Sequence, residues 1–340
     1  MSREYDIAVV GATGAVGEMM LTVLAERDFP VGKLYPVASK RSAGNTVLFR
    51  NQPLLVEDLA EFDFSKVQIA LFSAGGSVSA EYAPKAAEAG CIVIDNSSHF
   101  RREKDIPLVI PEVNSHAIAD YSNRNIIANP NCSIIGMLVA LKPIYDAVGI
   151  TRINVATYQS VSGAGQKGVN ELVEQTSMLL NGVSVKPKVF AKQIAFNVIP
   201  QIDEFQENGY TKEEMKMVWE TQKIFEDDDI VVNPTTVRVP VFYGHSAAVN
   251  IETREKITAD EARATLKKAP SIKVIDKHKA GGYPTPVGDA AGEDEVFVGR
   301  IREDISHSYG LNVWVVSDNV RKGAATNAVQ IAEILIRDYL

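Results

Sequence analysis

The chain has 340 residues, and at about 150 residues per domain this length predicts two domains. Hydrophobic residues make up 46% of it and charged residues 23%, a composition typical of folded proteins and not of disordered ones. The formal net charge is -8, without a long run of one sign, which disfavours nucleic acids and anionic membranes as partners. A small anionic ligand is still compatible with this charge, because a few local arginines outweigh a mild overall field.

Two features indicate a cytoplasmic protein. The only cysteines are Cys91 and Cys132, too few for a disulfide framework, so we expect two reduced thiols. The N-terminus lacks the basic start and apolar stretch of a signal peptide, and no apolar run reaches the length that spans a bilayer. No membrane partner and no metal site are expected.

In the first part of the chain, short apolar strands alternate with helical stretches such as residues 79–89. This alternation predicts a mostly parallel sheet that helices cover on both faces. Pro36 indicates an edge or an irregularity in its strand. The predicted strands are residues 6–10, 34–38, 68–73, 91–95 and 125–128.

After Asn129 the pattern changes to β-branched and alternating strands with long helices between some of them, which predicts an α+β domain with a more antiparallel sheet. Its predicted strands are residues 152–160, 235–242, 296–302 and 310–317, and its helices 168–180 and 211–225. A last helix, 323–340, is expected to return to the first domain. The fold class is thus α/β, a Rossmann-type dinucleotide-binding domain (1–130 with 321–340) followed by an α+β domain (131–320).

A glycine loop joins the first strand to the first helix. Glycines at this junction let the backbone approach a pyrophosphate and present helix N-terminal amides to it. The alternative is an ordinary tight turn, since the spacing departs from the commoner G-x-G-x-x-G. The loop consists of Gly11, Ala12, Thr13, Gly14, Ala15, Val16 and Gly17.

The residues at the end of the second strand distinguish NAD-binding from NADP-binding proteins. An acidic residue there binds the ribose 2′-hydroxyl of NAD, whereas this chain has Ser39, Lys40, Arg41 and Ser42. Two cations and two hydroxyls suit a 2′-phosphate and predict NADP. The alternative is a solvated basic turn.

Cys132 lies in the segment Asn-Pro-Asn-Cys-Ser at 129–133, and helical spacing of apolar residues begins at Ile134. A cysteine at a helix N-terminus has a lowered pKa and is a better nucleophile. The alternative is a small buried side chain, as most cysteines are. Cys91, inside an apolar strand, fits that alternative, whereas polar turn residues surround Cys132.

Several motifs, in order from about residue 6 to the C-terminus, resemble the aspartate-semialdehyde dehydrogenase family. These are Gly-Ala-Thr-Gly-Ala-Val-Gly at 11–17, Asp-Asn-Ser-Ser-His-Phe-Arg at 95–101, Asn-Pro-Asn-Cys-Ser at 129–133, Gln-Ser-Val-Ser-Gly-Ala-Gly at 159–165, Arg-Val-Pro-Val-Phe-Tyr-Gly-His at 238–245 and Asp-Asn-Val-Arg-Lys-Gly-Ala-Ala at 318–325.

The resemblance implies reduction of aspartyl phosphate with NADPH, through a thioacyl enzyme, in synthesis of the aspartate-family amino acids. It also implies a homodimer or higher assembly, with the second domain serving catalysis and dimerisation. In the family's pattern Cys132 is the nucleophile, His245 the acid/base and Gln159 a substrate-orienting residue. Further roles follow by match: Arg238 and Glu213 for the substrate, Arg101 and Lys216 for phosphate, and Ser162, Gly163, Gly165 and Asn319 for the nicotinamide end of the cofactor.

Several alternatives stay open at this point. Arg102 competes with Arg101 for the phosphate role, Arg238 could be an ordinary surface arginine, and Glu213 and Lys216 a routine helix-surface pair. In an unbroken strand Arg238 and His245 point in opposite directions, so a bend at Gly244 is required. Two other functions compete: an N-acetyl-glutamyl-phosphate reductase, and a catalytically silent NADP-binding scaffold. The Gln159 segment and the helix that carries Glu213 and Lys216 disfavour the reductase. The intact set of Cys132, Gln159, Arg238 and His245 disfavours the silent scaffold.

Overall fold

The computed structural model describes residues 3–340. They form two compact units, the first running up to Asn131 and including Ala324–Leu340, the second running from Cys132 to Gly323. Among these residues, none of the helices has the length and apolar character needed to cross a bilayer.

The first unit is built on a six-stranded, fully parallel sheet in the order β5-β2-β1-β6-β7-β8. Its strands are β1 (Tyr5–Val10), β2 (Val31–Ala38), β5 (Glu57–Asp58), β6 (Ile69–Phe72), β7 (Ile92–Asp95) and β8 (Ile126–Ala128), with a separate hairpin of β3 (Thr46–Phe49) and β4 (Gln52–Leu55). The five predicted strands are confirmed within a few residues. The outermost strand, β5, pairs only with Val37 and Ala38, so Pro36 has no partner on that side.

Helices cover this sheet, and the fully buried side chains of β1, β6 and β7 form the core with them. The helices are α1 (Ala15–Glu26), α2 (Gly76–Glu88), α3 (Pro111–Asn114) and α8 (Thr326–Asp338), with 3-10 turns at Phe64–Lys66 and Ser115–Asn123. Helix α8 contributes Ala328, Ile331, Ala332 and Leu335 to that core. The predicted return of the last helix to a Rossmann-type first domain is therefore confirmed.

The second unit holds a mixed six-stranded sheet in the order β10-β9-β11-β14-β13-β12. Its strands are β9 (Ile150–Gln159), β10 (Val231–Arg238), β11 (His245–Thr253), β12 (Ile272–Val274), β13 (Val296–Glu303) and β14 (Gly310–Ser317). Its helices are α4 (Cys132–Val148), α5 (Gln166–Leu180), α6 (Lys212–Phe225) and α7 (Ala259–Leu266), with short helical turns at Val161–Ala164, Pro286–Ala290 and Arg321–Ala325. Helix α4 packs on β9, β11, β13 and β14 and covers one face of the sheet.

The predicted strand over 235–242 is wrong in its bounds, because β10 begins at Val231 and ends at Arg238. Pro240 has no N–H to continue the ladder, and Gly244 adopts φ 89° before the next strand starts. Arg238 and His245 therefore lie on two strands. The required break at Gly244 is present.

Candidate active site

Three neighbouring strands of the second sheet end at one edge and bring three predicted site residues together. Gln159 is the last residue of β9 and pairs with Arg238, the last residue of the parallel β10. Strand β11 runs antiparallel to β9, so its first residue, His245, starts at the same edge. All three side chains are buried, with exposed fractions of 1%, 6% and 4%. The sheet register thus brings together residues that lie up to 86 positions apart in sequence.

Cys132 is the first residue of α4, and its Sγ lies 3.2 Å from Nε2 of His245. The dipole of α4 favours a thiolate at this position. Gly323 packs against the cysteine, since a Cβ added there would lie 3.0 Å from the Cβ of Cys132. A nucleophile and a base within hydrogen-bond reach are what thiol-based acyl transfer requires.

Ser160 holds the other side of the imidazole. Its backbone N–H donates to Nδ1 of His245 over 3.1 Å, and its Oγ lies 3.1 Å from the same nitrogen. A ring protonated at Nε2 accepts from that N–H, whereas a ring protonated at Nδ1 can donate to Oγ, whose own proton is donated to Oδ1 of Asn319 at 3.0 Å. Burial, then the charge of Arg238, lowers the pKa of His245 well below 6.5. The neutral imidazole near pH 7 can accept a proton from the thiol.

Arg238 is a buried cation with most of its donors uncommitted. Among the described residues its guanidinium makes one hydrogen bond, from Nη1 to the carbonyl oxygen of Ser160 at 2.7 Å. It also lines a cavity of about 280 Å³ together with Phe190, Gln201 and Asp203. Burial lowers the pKa of Arg238, with Glu213 and Cys132 acting in the opposite direction. The surface-arginine alternative is excluded, and a partly satisfied guanidinium facing a cavity suits an anionic ligand.

The α6 residues join this cluster from the side. Helix α6 begins with a capping box, in which Thr211 is the N-cap and Glu214 its partner. Glu213 is 5% exposed, and its carboxylate accepts from Gln159 Nε2 at 3.3 Å and from Lys216 Nζ at 3.1 Å. The pair is therefore not a routine surface pair.

The loop predicted to lie beside the nicotinamide packs on the same groups. A Cβ added at Gly163 would lie 2.7 Å from Arg238 Nη1 and 3.3 Å from His245 Cε1, so only glycine fits without moving them. Gly165 adopts φ 76° at the start of α5. Oδ1 of Asn319 accepts from Ser160 Oγ, Ser162 Oγ and Gly244 N–H, and its Nδ2 donates to Ser162 Oγ. Asn319 thus holds the loop in place through these hydrogen bonds, a role that no sequence pattern indicated.

In the first unit the glycine loop has the geometry of a dinucleotide cradle. Gly11 adopts φ 85°, and a Cβ on Gly17 would lie 2.1 Å from the carbonyl oxygen of Gly11. Helix α1 starts after Gly14 with no side-chain cap, which leaves its N-terminal amides for an anion. The tight-turn alternative does not account for this open helix start at the carboxyl edge of a parallel sheet.

The turn after β2 carries two cations and lies beside two carboxylates. Lys40 and Arg41 are exposed in a turn closed by a 2.8 Å bond from Ser42 N–H to the carbonyl oxygen of Ser39. The segment itself has no carboxylate, but β5 places Glu57 and Asp58 on the neighbouring strand. The basic pair of the turn is therefore the feature that supports a 2′-phosphate.

Arg101 and Arg102 have different surroundings within the first unit. Arg101 is 7% exposed, and its guanidinium donates to the carbonyl oxygens of Asn129 and Asn96, both at 2.9 Å. These carbonyls lie just beyond β8 and β7, at the carboxyl edge of the sheet where α/β proteins bind ligands. Arg102 is exposed.

The comparisons with known proteins cover the whole chain. Residues 6–121 match the family model "Semialdehyde dehydrogenase, NAD binding domain", and residues 141–322 match "Semialdehyde dehydrogenase, dimerisation domain". An aspartate-semialdehyde dehydrogenase of Legionella pneumophila is 66% identical over 340 residues, 100% of this chain and 98% of that protein. The chain belongs to the aspartate-semialdehyde dehydrogenase family. It is accordingly an oxidoreductase of amino-acid biosynthesis, as the sequence motifs predict.

Solved aspartate-semialdehyde dehydrogenases share the fold over full length. The Vibrio cholerae enzyme II, crystallised in complex with ASA, has a TM-score of 0.98 at 62% identity, with all of both chains covered. A Candida albicans aspartate-semialdehyde dehydrogenase, solved with NADP, has a TM-score of 0.74 at 26% identity, with 98% of each chain covered. The predicted fold class is thereby confirmed.

Proposed function

We propose that the chain catalyses NADPH-dependent reductive dephosphorylation of L-4-aspartyl phosphate to L-aspartate 4-semialdehyde, reversibly and with phosphate as co-substrate. The reaction serves biosynthesis of lysine, threonine, methionine and diaminopimelate. The observation that carries the proposal is the 3.2 Å approach of Cys132 Sγ, at a helix start, to the buried His245. Family membership and the ASA complex of the Vibrio relative support the substrate.

The chain's own residues can perform the acyl transfer. His245 Nε2 takes the thiol proton of Cys132, and the thiolate attacks the acyl carbon, so that a C–S bond forms and the C–O bond to phosphate breaks. The N-terminal amides of α4 stabilise the oxyanion. A bound dihydronicotinamide supplies a hydride for reduction of the thioester. His245 then holds its proton within reach of the departing sulfur or of the aldehyde oxygen.

The substrate's amino-acid end is proposed to bind between Arg238 and Glu213. A guanidinium with several uncommitted donors can grip a carboxylate with two parallel hydrogen bonds. Glu213 supplies a carboxylate for the substrate ammonium, and Gln159, which donates to Glu213, orients the acyl group near the thiol. Such a match of two fixed charges to an α-amino acid favours aspartyl phosphate over an N-acetylated acyl phosphate, which has no ammonium.

Phosphate is proposed to bind Arg101 and Lys216. The burial and anchoring of Arg101, against the exposure of Arg102, support the choice between the two arginines. The planar guanidinium of arginine can donate to two phosphate oxygens at once, whereas the ammonium of lysine supplies a point charge.

The cofactor is proposed to be NADP, with the pyrophosphate on the 11–17 loop and the 2′-phosphate on Lys40 and Arg41, flanked by Ser39 and Ser42. The uncapped start of α1 supports the first assignment and the basic turn the second. Ser162, Gly163 and Gly165 are proposed to face the nicotinamide, and Asn319 has one Nδ2 hydrogen not used by the bonds described above.

We further propose that a second copy of the chain packs on the face of the second sheet that lies opposite α4. The match to a dimerisation domain over 141–322 supports this partner. Across β10, β9, β11 and β14 this face carries a hydrogen-bonded row of asparagines, with Tyr158 38% and Val231 58% exposed beside it. The row is Asn233, Asn154, Asn250 and Asn312, with successive distances of 3.1, 3.4 and 3.1 Å.

The function is tested by a steady-state panel of the purified protein. Aspartate semialdehyde and N-acetylglutamate semialdehyde are each offered with NADP or NAD, with and without phosphate. The proposal expects rapid oxidation only of the first aldehyde, with NADP and phosphate together. Preference for the acetylated aldehyde, or equal rates without phosphate, contradicts it.

A further inference from the structure

Asp203 adopts an unusual backbone conformation beside the proposed active site. Its φ is 70°, in the left-handed region that few residues other than glycine, asparagine and aspartate adopt. Local bonds hold it there, because its Oδ1 accepts from Glu204 N–H at 3.0 Å and Gln201 Nε2 donates to its carbonyl oxygen at 3.3 Å. This conformation leaves Oδ2 for a contact outside the turn.

That contact is Lys216, thirteen positions along the chain. Lys212 N–H donates to the carbonyl oxygen of Glu204 at 2.8 Å, which ties the Asp203 loop to the first turn of α6. Oδ2 of Asp203 accepts from Nζ of Lys216 at 2.9 Å, and the lysine side chain is only 16% exposed. Asp203 also lines the cavity that Arg238 lines.

Lys216 is thus paired with two carboxylates, Asp203 and Glu213. Burial disfavours its charge, but the two carboxylates together raise the pKa of Lys216, so the ammonium is charged at neutral pH. By charge alone, a second carboxylate opposes the binding of an anion at this lysine. A useful role of Asp203 in phosphate binding must therefore be geometric.

Glu213 shares Lys216 with Asp203. The carboxylate of Glu213 also accepts from Gln159, and a substrate ammonium needs an acceptor that is not fully committed to a lysine. Because Asp203 is a second ion-pair partner, Lys216 is held in place by two carboxylates and not by Glu213 alone.

We propose that Asp203 is a positioning residue that fixes Lys216 for phosphate and leaves Glu213 to the substrate's ammonium. This inference rests on the proposed function of Lys216 and Glu213. Asp203 itself needs no contact with substrate.

The test uses Asp203→Asn and Asp203→Gly, both of which tolerate a positive φ and remove the charge. In the semialdehyde-oxidising direction, each variant should raise the KM for phosphate by about tenfold, the worth of one charge-assisted hydrogen bond. The KM for semialdehyde should rise as well, and the KM for NADP should stay unchanged. Asp28→Asn is the matched control, an exposed aspartate that also has a positive φ, of 49°; it should change none of these constants.

A double-mutant cycle with Lys216→Ala separates positioning from a general structural effect. If Asp203 acts through Lys216, Asp203→Asn adds less than about twofold to the phosphate KM once Lys216 is alanine. Independent effects that multiply overturn the inference, as does a lower phosphate KM in Asp203→Asn, which would indicate an effect of charge alone. If Lys216→Ala leaves phosphate use unchanged, the proposed phosphate site itself is wrong and the inference is overturned with it. If Lys216→Ala weakens phosphate use and Asp203→Asn does not, only the role of Asp203 is refuted.

Discussion

Replacing Arg238 by leucine probes the proposed grip on the substrate carboxylate. The guanidinium is 6% exposed and donates one hydrogen bond to Ser160. In Arg238→Leu a bound carboxylate would therefore lose its charged partner in a buried site. Removing one partner of such a pair costs roughly 2–5 kcal/mol. At tenfold per 1.4 kcal/mol, the KM for aspartate semialdehyde should rise by roughly 30-fold to several thousandfold.

The assay is steady-state kinetics of semialdehyde oxidation, with NADP binding measured separately and expected to stay unchanged. Loss of the bond to the Ser160 carbonyl also costs about 1–3 kcal/mol of folding stability, so thermal unfolding should show a less stable but folded protein. Arg337→Leu, at an exposed site near the C-terminus, is the control for the substitution itself. A semialdehyde KM within threefold of the unaltered protein's would refute the assignment of Arg238.

The remaining predictions concern the cofactor and the base. Arg41→Asp should weaken NADP binding more than NAD binding, and unaltered protein that prefers NAD contradicts the reading of the turn. Gly17→Ala should reduce NADP affinity by roughly 10- to 100-fold, because its Cβ would meet Gly11 O at 2.1 Å and move the loop, with the loss of about one hydrogen bond to the charged pyrophosphate; unchanged affinity in titration calorimetry would show that this loop does not hold the cofactor. His245→Asn should bind substrate but lose turnover. Since the pKa of His245 is held well below 6.5, the acid limb of kcat/KM should lie below pH 6.5. Below pH 6.5 His245 binds a proton in the unfolded chain but not in the folded protein. The free energy of unfolding should therefore fall as the pH drops below 6.5, and it should fall less in His245→Asn.

The fold was predictable where hydrophobic pattern and length agree. The buried strands of the first sheet and helices α2, α5 and α6 lie within a few residues of their predicted bounds. Strand β11 was not predicted, because His245 is followed by Ser246, Ala247 and Ala248, which show no alternation of large apolar and polar residues. Its neighbours β9 and β14 supply the pairing that holds it in the sheet.

The site was predictable only as far as local motifs reach. The motifs select Cys132 and His245, but the register of β9, β10 and β11 places His245 with Arg238, and the start of α4 places Cys132 beside His245. Ser160 and Asp203 act through a backbone amide and a left-handed turn. Such roles depend on tertiary contacts, so no spacing in the sequence reveals them.

The most direct test of the mechanism is mass spectrometry of the enzyme mixed with aspartate semialdehyde and NADP in the absence of phosphate, where the acyl group has no phosphate to accept it. We expect an aspartyl adduct on Cys132, absent in Cys132→Ala and released by added phosphate. Cys91 should stay unlabelled, because it is fully buried and its pKa is raised to about 12 by burial. An adduct on Cys91, or sustained turnover by Cys132→Ala, would contradict the thioacyl mechanism.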